Sequence, residues 1–385
     1  MRQRIIIRLA FASAMLLGVC CDVQGQQTAS RQAQAPGASN EPAAVPPEYA
    51  EFTRSLERIR ARNTEMFAIR TKNGIDEGSY VSIGGIEQWI TIRGEDRGNP
   101  VLLFLHGGPG DVTNPWTFGL FAPWEKHFTV VQWDQRGSGR TFQRTGPSVA
   151  PTITLDRMAQ DGVEVAEYLC KRLGKSKIIV VGHSLGSIIG LRMVAARPDL
   201  FYAYVGTGQI GDSTRNYSVA YDALLNEAKV TGNQTALDEL RAVGPPPYKS
   251  GPGYRVQWKW ANRFEGADLF LNETLGLALV GPGDSIQGFV DMEKGSVMSA
   301  ERLVPQTSSL QQKDLGLKFA IPVFFVQGAK DFTSPTELAR EYLAALTAPK
   351  KEFVPIAGGH FAVFMNSGEF LDVLVKRVRP LAVDH

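Results

Sequence analysis

The chain reads as an α/β protein: a mostly parallel sheet flanked by helices, with an inserted and mainly helical subdomain. Three observations predict this. Short apolar runs ending in glycine recur along the chain, as in "VLLFLHGGPG", "KIIVVGHSLGS" and "IPVFFVQGAKD", each the length of one strand buried on both faces. Helical patterns lie between these runs, and strands alternating with helices build a parallel sheet. One interval, Gly208 to Ala320, holds more than a hundred residues of mostly helical pattern with proline breaks ("VGPPPYKSGPGY"). That is too long for a loop.

In chain order, "MRQRIIIRLAFASAMLLGVCCDVQGQ" opens with three arginines, runs apolar from Leu9 to Cys21, and offers short residues at Val23 and Gly25. Residues 1–25 are therefore expected to be a signal peptide cleaved before Gln26, because the apolar run is short for a membrane span. The expected location is periplasmic or secreted; an uncleaved N-terminal anchor is the alternative. Residues 26–47 carry four prolines and almost no bulky apolar side chains, the composition of a disordered linker. The core's first part is expected over 48–208, opening with a helical pattern from Tyr49 to about Phe67. The helical cap follows over 209–318, and the core's second part over 319–385.

Within the core, "SYVSIGGIEQWITIRG" predicts a hairpin turning at Gly84-Gly85. Strand-like runs follow at 101–110, 128–139, 177–187, 201–209, 321–331 and 351–360. Helices are expected at 115–126, 154–173, 185–196, 335–346 and 361–378. The cap leaves and re-enters at the carboxyl ends of strands, where open α/β sheets bind their ligands.

Composition narrows the function. A formal charge of +2 on 385 residues, with no basic patch interleaved with aromatics, speaks against nucleic acid as a partner. Nothing suggests a membrane partner beyond the export signal. The five histidines fall at no metal-ligand spacing, so neither a metal nor another cofactor is expected. Two of the three cysteines leave with the signal peptide. Cys170, in "EVAEYLCKRLG", is left without an internal disulfide partner and reads as a small buried hydrophobe.

The chemistry gathers at strand ends. In "KIIVVGHSLGS" an apolar strand stops at Gly182 and a helix opens at Leu185, with Ser184 between. A turn that sharp brings backbone segments together, so Gly182 and Gly186 leave the room that side chains would fill. The serine Oγ then stands above the sheet at the helix N-terminus. A serine hydroxyl needs a base to take its proton and a third group to orient that base. Asp331, ending "VFFVQGAKD", and His360, ending "FVPIAGGH", supply both at carboxyl ends of strands, in the order Ser, Asp, His. His183, adjacent on the turn, points away from the serine and is expected to pack beneath it. The tetrahedral intermediate needs donors for its oxyanion, and the N–H of Gly107 or Gly108 in "HGGPG" can pair with that of Leu185. Pro109 has no N–H to give.

The segments "HGGPG", "WDQRGSGRT", "GHSLGS", "GAKDFTSP" and "GGHF" together resemble the α/β-hydrolase superfamily, specifically the proline iminopeptidase-like serine aminopeptidases. The resemblance runs from about residue 80 to the C-terminus, matching the family's helical cap in position and length only. It implies an α/β-hydrolase fold, with Ser184 as nucleophile, Asp331 as orienting acid and His360 as general base. It also implies Gly108 and Leu185 as the oxyanion hole. Asp134 and Arg136 read as scaffold beneath the site. The chain departs from the family in writing His183 and Leu185 where the peptidases have glycine and tryptophan. Cap carboxylates hold the substrate's free amine in that family, and Glu265 in "FEGA" is the substrate-binding candidate here; Asp268, Glu273 and Asp284 are not ranked. The expected activity is acyl transfer to water on a small-molecule or short-peptide substrate, first as an aminopeptidase for N-terminal proline or another small residue. The alternative is a carboxylesterase or lactonase. Aspartate-nucleophile relatives are disfavoured by the serine at 184, and a non-catalytic binding protein by the complete set of three.

Overall fold

The hairpin expected at Gly84-Gly85 forms the edge of an eight-stranded sheet. The structure, a computed structural model, describes residues 50–248, 251–282 and 286–382, so the expectations for 1–25 and 26–47, and Asp284, lie outside the described residues. The strands are β1 (Ile75–Ile83), β2 (Ile86–Gly94), β3 (Val101–Leu105), β4 (Thr129–Asp134), β5 (Ile178–His183), β6 (Phe201–Thr207), β7 (Val323–Gly328) and β8 (Lys351–Ile356). Their spatial order is β1-β2-β4-β3-β5-β6-β7-β8. β2 runs antiparallel to β1 and β4, and the other pairs are parallel.

The burial follows from this order. β3, β4, β5 and β7 are buried at every position, as central strands between two helical layers must be, whereas the edge strand β8 is only partly covered. Alternation sends Leu103, Leu105 and Val180 to one face, against helices Leu155–Leu173, Leu185–Ala196 and Thr336–Ala345. Leu102, Phe104, Ile179 and Val181 point to the other, against Phe121, Trp124 and the C-terminal Phe364, Phe370 and Leu374.

Two helical expectations need correction, and one further helix forms where none is expected. The helix expected over 115–126 shrinks to Phe118–Phe121 and a single tight turn at Trp124–Lys126, interrupted at Pro123. The added helix, Gly139–Thr145, begins where the strand-like run 128–139 is expected to end, its first turn held by Asp134 Oδ2, which accepts from Arg140 N at 2.9 Å. The C-terminal helix breaks at Asn366 into Ala362–Met365 and a longer piece from Ser367. Cys170 is half-buried rather than buried.

Between β6 and β7 lie helices Ser213–Val230, Gln234–Val243, Gly251–Glu265, Ala267–Leu279 and Ile286–Thr307, and the short turn Gln312–Leu315. The first two begin with capping side chains, Asp212 and Asn233, which accept from backbone N–H groups of the opening turn. Tyr221, Leu224, Leu237, Leu240 and Trp260 give this region a small core of its own. Its helix Ala267–Leu279 ends against the N-terminal helix Ala50–Met66: Arg60 Nε donates to Leu279 O and Asn63 Nδ2 to Val280 O, both at 2.9 Å. Carbonyls that a helix end leaves without partners are met there by side chains.

Candidate active site

Ser184 sits between β5 and helix Leu185–Ala196 with φ 53° and ψ −121°. Among the described residues it is the one non-glycine residue with positive φ. Such a conformation costs on the order of 1–3 kcal/mol and persists where the surroundings over-determine it. Two bonds do so: Ser184 N donates to Thr207 O (3.0 Å), and Ser187 N to Ser184 O (2.8 Å). The flanking glycines are obligatory. A Cβ on Gly182 would lie 2.5 Å from Gly186 O, and one on Gly186 would lie 2.3 Å from Leu105 O.

Asp331 follows β7 and His360 follows β8, so parallel neighbours deliver both to the sheet's carboxyl edge, where β5 delivers Ser184. His360 Nδ1 lies 3.2 Å from Asp331 Oδ1 and 3.1 Å from Oδ2. The carboxylate is fixed from behind. Oδ1 accepts from Thr333 N (2.9 Å) and Ser334 N (2.7 Å), and Oδ2 accepts from Gln327 Nε2 (2.8 Å). Burial by itself lowers His360, but the charge and hydrogen bond of Asp331 outweigh it, and Glu265 and Asp111 add to the rise, so the imidazole titrates above its usual value.

His183 lies beneath the elbow. Its Nε2 is 3.1 Å from the carbonyl of His360, so the neutral ring carries its proton on Nε2 and donates it there. Burial and the neighbouring His360 lower it to about 3, which keeps it uncharged. His106 is equally settled: its Nε2 accepts from Gln135 N (3.2 Å), its Nδ1 lies 2.9 Å from Gly107 O, and burial lowers it to about 4.

Of the glycines in "HGGPG", Gly107 abuts the elbow: a Cβ there would come within 2.9 Å of Ser184 Cβ. Gly108 has φ 115°, open only to glycine in practice, and turns the chain so that its N–H follows directly on the Gly107 contact. Leu185 N opens the helix on the other side. Helix Ile286–Thr307 covers this turn, with Ser296 Oγ donating to Pro109 O at 3.0 Å. Asp134 is buried and accepts from Asn114 Nδ2 (2.7 Å) as well as from Arg140 N. Arg136, fully buried, spends its guanidinium on Asp161 (2.7 and 3.1 Å), Thr152 Oγ1 (2.9 Å) and Gly84 O (2.9 Å).

Glu265, at the end of helix Gly251–Glu265, is no solvated surface charge. It is buried, its Oε1 accepts from Phe332 N and its Oε2 from His360 N, each at 2.7 Å. Burial, and then the nearby charge of Asp331, raise its carboxyl to about 7. Sequence reasoning missed two features. Asp111, directly after "HGGPG", is a charge near His360. Phe361, Phe364, Phe270 and Trp116 form an aromatic group beside His183 and His360, with ring centroids 4.7–6.2 Å apart. Among the described residues no group of three or more His, Cys, Asp or Glu is placed to hold a metal ion.

Comparison with known proteins agrees with this architecture. Residues 100–242 match the family model described as "alpha/beta hydrolase fold". The chain is 29% identical to the "Probable aminopeptidase YbaC" of Bacillus subtilis (strain 168), over 74% of this chain and 90% of that one. It is 33% identical to the proline iminopeptidase of Neisseria gonorrhoeae, over 31% of this chain and 36% of that protein. Among solved structures, a proline iminopeptidase-related protein of Thermus thermophilus superposes with a TM-score of 0.56 at 19% identity, covering 80% of this chain and 99% of that one. The chain has the α/β-hydrolase fold and resembles the proline iminopeptidase-like proteins that share it.

Proposed function

We propose that the protein is a serine hydrolase working through an acyl-enzyme, with Ser184 as nucleophile, His360 as general base and Asp331 as orienting acid. One observation carries the reading: a strained serine elbow after β5 and a buried imidazole–carboxylate pair after the adjacent strands β7 and β8 stand at the same carboxyl edge of the sheet. His360 Nε2 takes the Ser184 proton as Oγ attacks the carbonyl carbon, then passes it to the leaving group; water reverses the sequence to release the acid. Gly108 and Leu185 offer backbone N–H to the oxyanion, with the helix N-terminus behind Leu185.

The substrate class proposed is a small peptide or amide with a free N-terminal residue, proline included, in keeping with the relatives' names. The second reading, an acyl esterase on the same machinery, is favoured by the engagement of both Glu265 oxygens. We place the mature enzyme in the periplasm or outside the cell, on the strength of the N-terminal segment. A fluorophosphonate probe tests the mechanism: the protein should label once and Ser184→Ala should not. Labelling that survives the substitution puts the nucleophile elsewhere. Prolyl, alanyl and leucyl arylamides, free and N-acetylated, beside short acyl esters, decide the substrate class. Equal turnover of free and acetylated amides ends the aminopeptidase reading.

A further inference from the structure

We infer that Glu265 is a positioning residue: from the inserted helices, one carboxylate grips the backbone of both loops that carry the base and the orienting acid. The inference rests on the serine-hydrolase reading and concerns how its two loops keep register. Phe332 follows Asp331 directly, and it and His360 lie beyond different strands, β7 and β8. Their N–H groups converge on Oε1 and Oε2, at 2.7 Å each, as short charge-assisted bonds. The fit leaves no slack. A Cβ on Gly359 would lie 2.3 Å from Glu265 Cγ and 2.5 Å from Oε2, so the His360 loop is moulded on this side chain.

The coupling to catalysis runs through distance. A displacement of about 1 Å in a reacting group can cost a hundredfold in rate, and either bond, once lost, frees one loop relative to the other. It also runs through charge. The groups acting on His360 are Asp331, Glu265 and Asp111, and those acting on Glu265 are Asp331 and His360. Removing the Glu265 charge therefore lowers His360.

The test uses Glu265→Gln in the full chain, since an amide keeps the shape but offers one acceptor oxygen to two donors. Acyl esters, free-amine arylamides and fluorophosphonate labelling should all slow by about a hundredfold, with KM changed by less than about threefold. The acid limb of kcat/KM should move to lower pH, which a purely structural loss would not do. The inference is overturned if ester hydrolysis and labelling stay near wild type while only free-amine substrates suffer; Glu265 is then the amine's partner. Should the variant not fold, hydrogen exchange on the wild-type protein decides: the amides of Phe332 and His360 should be protected, and rapid exchange at either overturns the inference. That measurement holds even for a wild type that neither labels nor hydrolyses, a result that would sink the hydrolase reading instead.

Discussion

Replacing Asp331 with asparagine changes one atom of the carboxylate and reverses the chemistry around it. The two oxygens accept from Thr333 N, Ser334 N, Gln327 Nε2 and His360 Nδ1. Asparagine has a single acceptor oxygen. If it stays at the Oδ1 place it keeps the two backbone donors, and the new NH₂ then faces the Gln327 amide, donor against donor. The same NH₂ would donate to His360 Nδ1, forcing the imidazole proton onto Nε2, the nitrogen that must accept from Ser184. The opposite rotamer sets the NH₂ against Thr333 N and Ser334 N instead. The wrong tautomer should lower kcat roughly 10³- to 10⁴-fold, about 4–5.5 kcal/mol of barrier. Donor facing donor should cost about 1–3 kcal/mol of stability. The pH profile gives an independent reading. Activity needs neutral His360, so kcat/KM should rise with pH along a limb above 6.5 in the wild type, because Asp331 outweighs burial. In Asp331→Asn burial acts with less opposition, and the limb should shift downward. Ester hydrolysis from pH 5 to 9, beside urea unfolding, measures all three. A variant within tenfold of wild type, its acid limb unmoved, would refute Asp331 as the orienting acid.

Acid should destabilise the fold through its buried histidines: His183 and His106, lowered to about 3 and about 4, contribute stability above pH 6.5 that is lost as pH falls toward those values. Each is worth on the order of 3–5 kcal/mol, and His183→Gln should flatten its share of the slope in urea melts between pH 6.5 and 4. Glu265, raised to about 7, works in the opposite sense, so the variant comparison is the informative one. Arg136→Met should cost about 3 kcal/mol, near the low end for a broken buried pair, because Arg157 Nε still reaches Asp161 at 2.8 Å. The double variant Arg136→Met/Asp161→Leu should recover most of that loss in the same melts. Intact mass of the exported product should show a new N-terminus near Gln26; a full-length, membrane-bound product would point to an anchor.

Much of this molecule is legible in its sequence where one strand end says everything locally. Ser184 announces its elbow because Gly182 and Gly186 must admit Gly186 O and Leu105 O, and nothing but glycine allows both. The order of strands and helices is equally open, since burial on two faces leaves unbroken apolar runs. What stayed hidden depends on contacts between distant segments. Glu265 meets Phe332 and His360 from 67 and 95 residues away, and no local pattern separates such a glutamate from a solvated one. The helix Gly139–Thr145 hides behind its glycines, because Asp134 holds its first turn. The aromatic group at His360 is assembled from Trp116, Phe270, Phe361 and Phe364, which lie in three separate stretches of chain. Gly107, not Gly108, takes the close contact with Ser184, a distinction of one residue that spacing does not resolve.

The whole inserted region is one crossover between adjacent strands, β6 and β7, and this has a consequence for the order in which the protein assembles. Ser184 and its elbow belong to the first part of the chain, whereas Asp331 and His360 arrive only after more than a hundred residues of insertion. Loop-closure entropy grows slowly, about 0.6 kcal/mol per doubling of length, so the insertion weighs little on final stability. It weighs more on timing, because pairing β7 with β6 is a long-range contact that local structure cannot nucleate. A chain emerging from a ribosome or a translocation pore can therefore complete its elbow while its last two strands are still missing. Until they dock, Ser184 lacks both His360 and Asp331, and the site proposed for catalysis is incomplete.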